Sequence, residues 1–109
     1  MTRVDVFSGV CGSSTVIEAV ADADGHVALT IKSDCEAVQR LGADLDSVNP
    51  FREISFRGEG PVTLRVAQQV LPHTACPVPA GIIKAVEVEG GLALPADATI
   101  RVSKEGRGE

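Results

Sequence analysis

The chain has no tryptophan, no tyrosine and a single methionine; its aromatic content is 3%, three phenylalanines in 109 residues. Without indole or phenol rings it has no platform on which bases or sugars could stack. Positive charge is also scarce, with 10 Lys and Arg against 15 Asp and Glu, a net charge of −5. No basic stripe is present to neutralise phosphates, which argues against a nucleic-acid partner. No apolar run approaches the ~20 residues of a membrane span. Asp5 interrupts the first residues where a signal peptide would need an unbroken apolar stretch, so a cytoplasmic protein is expected. The glycine- and serine-rich run Gly9-Val10-Cys11-Gly12-Ser13-Ser14 is followed by no Lys or Arg, and no nucleotide is expected there. Cysteine is present three times, at 11, 35 and 76, with no C-x-x-C pair. An odd number with no export signal does not describe a disulfide framework, and reduced thiols are the expectation.

What the chain does have is aliphatic bulk. With 44% hydrophobic residues and 23% charged, it can bury a core without staples, as one domain over 1–109 whose last residues, 104–109, form a frayed tail. Arg3-Val4-Asp5-Val6-Phe7 alternates like a half-buried strand. Residues 15–21 are β-branched and apolar, and 27–32 alternate again, on either side of an Asp22-Ala23-Asp24-Gly25 hairpin. Ser33 and Glu36 have capping-box spacing, and Val38, Leu41 and Leu45 share a face, which predicts a helix over 34–45. Residues 51–56 read equally as strand or short helix. Pro61 opens a helix carrying Val62, Val66 and Val70. Prolines 77 and 79 push Cys76 and Val78 toward extended geometry. Pro79 then starts a helix along Ile82, Ile83 and Val86 that stops at Gly90-Gly91, although 85–89 also reads as a strand. A last strand is expected at 99–103. Phe7, Phe51 and Phe56 are assigned to the core. The fold class that follows is α+β: a small antiparallel sheet of about four strands with two to three helices packed on one face.

The cysteines carry the chemistry. In an up-down-up meander, Cys11 follows the first strand and Cys35 the third, so both fall at the same end of the sheet. Cys35 is expected at the second position of its helix, among N–H groups that favour a thiolate. Cys76 precedes another helix and joins the other two if that helix begins at the same end. Three thiols, with His73 as a fourth ligand, suit zinc or an iron–sulfur centre. The plainer alternative is that cysteine often behaves as a small buried hydrophobe. A nucleophilic reading places the thiolate at Cys35 with His73 as base, but no glycine-rich oxyanion motif supports it. His26 belongs to the hairpin at the opposite end. Asp22, Asp24, Asp44 and Asp46 read as a solvated surface rather than a hard-metal cage.

Taken together, Gly9-Val10-Cys11-Gly12, Lys32-Ser33-Asp34-Cys35 and the run from His73 through Cys76-Pro77-Val78-Pro79-Ala80-Gly81-Ile82-Ile83-Lys84-Ala85 resemble an uncharacterised family of small three-cysteine single-domain proteins from anaerobic bacteria and archaea. The likeness runs over nearly the whole chain, and residues 75–85 are its specific part. The resemblance implies that the three cysteine segments occur together and share a role. The leading expectation is therefore a small binding protein holding a soft metal or iron–sulfur centre through Cys11, Cys35 and Cys76. The alternatives are a thiol-based redox or sulfur-transfer protein using Cys35, and an interaction module with structural cysteines. In the last case the faces Val62/Val66/Val70 or Ile82/Val86 would meet a protein partner or a second copy.

Overall fold

The structure, a computed structural model, describes residues 1–106. Three strands follow the alternation of the sequence: β1 (Thr2–Phe7), β2 (Ser14–Ala21) and β3 (Val27–Ser33). They pair antiparallel, with Val4 opposite Ile17 and Ile17 opposite Ile31, so one register runs across the sheet. That register sends Val4, Ile17, Ala19, Val27 and Leu29 to one face and leaves Arg3, Asp5 and Thr30 on the other. The hairpin between β2 and β3 turns at Gly25 with φ +83, and the Asp22 carboxylate accepts from the Asp24 and His26 amides at 2.9 and 3.0 Å.

The fourth strand differs from the sequence expectation. It is β4 (Ser47–Val48), two residues pairing with Val27 and Ala28, in the sheet order β1-β2-β3-β4. So short a pairing leaves no periodicity to read. Residues 99–103 form no strand and are exposed, as are 104–106; the last three residues of the expected frayed tail lie outside the described residues.

Among the described residues, four helices cover the buried face: α1 (Glu36–Ala43), α2 (Pro50–Glu53), α3 (Val62–Val70) and α4 (Val78–Glu89). The 51–56 ambiguity resolves as α2, because the Asn49 side chain accepts from the Phe51 amide at 3.0 Å and Pro50 supplies a preset φ. Glu53 at its end is 1% exposed, and its carboxylate accepts from the Val62 and Thr63 amides at 2.8 and 2.9 Å and from the Thr63 hydroxyl. It thus satisfies the first donors of α3, whose own N-cap is Pro61. The alternative strand at 85–89 does not form. Val78, expected to be extended, is the first residue of α4 and is fully buried, so core packing prevails over the preproline preference. The helix ends in a Schellman motif: Gly91 adopts φ +77, its amide bonds the Val88 carbonyl and the Leu92 amide bonds that of Glu87 at 2.8 Å.

The core is aliphatic. Ile17, Val27, Val38, Leu41, Leu45, Val78, Ile82 and Val86 are all at most 2% exposed. None of the three phenylalanines joins it: Phe7, Phe51 and Phe56 are exposed, which corrects their assignment to the interior. Phe7 shares the outward parity of Arg3 and Asp5, Phe51 sits on a single-turn helix, and Phe56 lies in the loop beyond it. Ile82 and Val86 are sealed in the core, and Val62, Val66 and Val70 pack against it. The Ile82/Val86 face is thus taken up by the chain's own core, while Val62, Val66 and Val70 stay partly exposed.

At the far end of α4, Glu89 accepts from the Thr2 hydroxyl at 2.8 Å and the Ala21 amide at 2.9 Å, with the Met1 α-ammonium at 3.5 Å. The Ala21 amide first, then the Thr2 hydroxyl, hold this carboxyl below the ordinary glutamate range. Because the folded value is the lowered one, the stabilisation is complete above the unfolded pKa and disappears as pH falls through the folded pKa. Glu89→Gln is expected to lose about 1–2 kcal/mol near neutral pH, from the charged hydrogen bonds. The gap to the parent should close progressively in acid; urea midpoints measured against pH will show whether the two curves converge there.

Candidate functional site

β1 ends at Phe7, which pairs with Ser14, and β3 ends at Ser33, which pairs with Thr15. The connections that carry Cys11 and Cys35 therefore leave the same end of the sheet. α4 runs antiparallel to β1: Gly81 in its first half lies against Val6, and Glu89 at its end lies against Thr2. Cys76, just before α4, belongs to that same end. His26 lies at the other end, exposed in its hairpin.

The three thiols are all free but differ in setting. Cys11 closes a 3-10 turn, Gly9–Cys11, between two glycines with φ +79 and +69. No other side chain or backbone packs where either glycine would carry a Cβ, and neighbouring Val10 is fully exposed. Within the turn the Gly12 amide bonds the Gly9 carbonyl at 2.8 Å, and at its base the Ser8 amide bonds the Ser13 carbonyl at 2.9 Å.

Cys35 is half-buried against the core and is the N-cap of α1, with φ −97 and ψ 122, two positions earlier than its expected place in the first turn. The reason is that β3 keeps Ser33. Its hydroxyl takes a bond from Thr15 at 2.8 Å and another from the Cys35 amide at 3.1 Å, so it cannot cap Glu36 and no capping box forms. Asp34 meanwhile ties this segment to the Cys11 connection, accepting from the Ser14 amide at 3.1 Å. The Cys35 side chain makes no capping hydrogen bond.

Cys76 is half-buried and packs on the core, its amide reaching the His73 carbonyl at 3.4 Å. Both residues line an open concavity of about 460 Å³ between α3 and α4, with Leu64, Gln68, Leu71 and Pro79. This recess was not expected, because helix periodicity does not show which face of α3 meets the proline-rich segment. A second concavity of about 560 Å³, around Phe51, Ile54 and Arg57, contains neither cysteine nor histidine.

Topology thus brings the three cysteine segments to one end of the sheet. Among the described residues, however, no three His, Cys, Asp or Glu side chains stand together as a group able to hold a metal ion. The acidic residues Asp22, Asp24, Asp44 and Asp46 are exposed. Among those same residues, no helix is long and apolar enough to cross a membrane.

The class defined by this arrangement is a small α+β protein, an antiparallel meander with helices on one face. The chain belongs to the family described as "Family of unknown function (DUF6951)", whose model matches residues 2–102 and so takes in all three cysteine segments. No curated protein and no solved structure matches the chain.

Proposed function

We propose that this protein binds a soft metal ion, zinc or the iron of an iron–sulfur centre, through Cys11, Cys35 and Cys76, with His73 or a partner residue completing the shell. The observation that carries this reading is the common end of the sheet from which the three cysteine segments emerge. Thiolate and imidazole are the donors such ions prefer. Since no ligand group stands ready, binding includes a closing step. The Cys11 turn is the element that closes: nothing packs on its glycines, so moving it sacrifices no buried contact. A net charge of −5 favours a cation, and a reducing cytoplasm, in the anaerobic setting the sequence resemblance implies, keeps the thiols available.

The test is anaerobic reconstitution with zinc, and separately with iron and sulfide, followed by metal analysis and alkylation of the remaining thiols. One centre per chain that shields all three cysteines is the expected result. Protein that stays metal-free and colourless, with all thiols alkylated at unchanged rates, contradicts it. A second reading, thiol-based redox or sulfur transfer, is favoured by the recess beside Cys76, where a thiol and His73 share one concavity. It moves the reactive sulfur away from Cys35, whose place outside the first turn of α1 weakens its claim. Alkylation rates against pH separate the two: an apparent Cys76 pKa well below the free value of ~8.5 supports thiol chemistry there.

A further inference from the structure

Residues 99–103, Thr-Ile-Arg-Val-Ser, have the alternation of a strand but no strand to pair with. Ile100 is 79% exposed and Val102 91%, and every residue from Leu94 to 106 is exposed. The Schellman turn at Gly91 and then Pro95 lead the chain away from its own body as an arm. The molecule measures 56 × 28 × 27 Å, twice as long as it is wide.

At the same time the sheet has an open side. β1 is the outer strand in the order β1-β2-β3-β4, so one row of its N–H and C=O groups has no ladder partner. Val4 and Val6 show the deficit in their side chains. Both are only half-buried, whereas Ile17 and Thr15, directly opposite on β2, are 0% and 1% exposed.

We propose that residues 99–103 of one copy add a fifth strand to the β1 edge of a second copy, reciprocally, giving a two-fold symmetric dimer with exchanged arms. Ile100 and Val102 are two residues apart and share a face of any strand they form, as Val4 and Val6 do. Setting the apolar pair of the arm beside the apolar pair of the edge fixes the register. In either strand direction residue 101 falls opposite residue 5, which puts Arg101 across from Asp5. Both contacts of Arg3 with that carboxylate fall on Oδ1, at 3.3 and 3.1 Å, which leaves Oδ2 without a partner among the described residues and available to a guanidinium. A second copy, rather than the arm's own edge, is the occupant because the arm extends clear of its own body. Reciprocal exchange also occupies the β1 edges of both copies at once and closes the pair on itself rather than extending it into a chain of copies. The inference is independent of the cysteine reading, since no cysteine lies in the arm or in β1.

The experiment is light scattering on the full chain over a wide concentration range, beside a variant lacking residues 97–109 and the variant Arg101→Asp. The full chain is expected to dimerise and the truncated chain to stay monomeric with an unchanged circular dichroism spectrum. Arg101→Asp, which sets like charges opposite each other at two symmetric sites, should raise the dissociation constant about tenfold. Asp5→Arg combined with Arg101→Asp should recover most of that loss. A full chain that is monomeric at every concentration overturns the proposal, as does a dimer unmoved by the truncation or by the charge reversal.

Discussion

Replacing Glu53 by alanine is expected to remove about 3 kcal/mol of stability, a large share of the roughly 5–15 kcal/mol available to a small domain. The carboxylate accepts from two backbone amides and one hydroxyl at the start of α3, and with residue 53 at 1% exposure and Thr63 at 0% the two Thr63 donors are sealed from water that could replace it. Alanine leaves all of them unpaired and opens a cavity. Glu53→Gln keeps the volume and one acceptor but turns an N–H group toward an N–H group, and should lose about half as much. Urea unfolding of the two variants is the check. A loss below about 1 kcal/mol for alanine would mean that α3 is held in place by its packing alone.

Gly81→Ala is expected to destabilise by about 2 kcal/mol, although alanine is normally preferred over glycine inside a helix by about 1 kcal/mol. A Cβ at this position would stand 2.6 Å from Val6 Cγ2 and 3.3 Å from Ile17 Cδ1. Valine has little freedom at χ1, so the contact is relieved only by lifting α4 off the sheet. If that is the cause, Val6→Ala in the Gly81→Ala background should restore stability rather than subtract from it, a coupling of about 1–3 kcal/mol in a double-mutant cycle. Additive losses would place the strain elsewhere.

These two residues also mark where sequence reading reaches its limit. The meander was legible because its strands alternate and its hairpin carries Asp-Gly, and the end of α4 because a Gly-Gly pair supplies positive φ. Even the outward position of Phe7 is present in the pattern, since it has the parity of Arg3 and Asp5; its apolar ring argues for the interior, but strand parity decides. Glu53 was not legible. A carboxylate nine residues before the amides it caps has no local signature, and its burial depends on α2 and α3 meeting in space. The start of α1 is hidden for a related reason: Ser33 has the spacing of a cap but remains in the ladder, held by Thr15 on the neighbouring strand. The strand assigned to 99–103 failed within the single chain because a strand needs an edge, and the chain does not bring one to it.

For the candidate site, the sequence supplied the residues and the topology supplied their common end, but neither supplies a ligand set already closed. Metal binding consequently requires the Cys11 turn to move toward Cys35 and Cys76 when an ion arrives. Zinc-edge X-ray absorption on the reconstituted protein addresses this most directly. Three sulfur neighbours at ~2.3 Å, falling to two in each single Cys→Ser variant, are what the account predicts. A shell of nitrogen and oxygen alone, or a sulfur count indifferent to which cysteine is replaced, would contradict it.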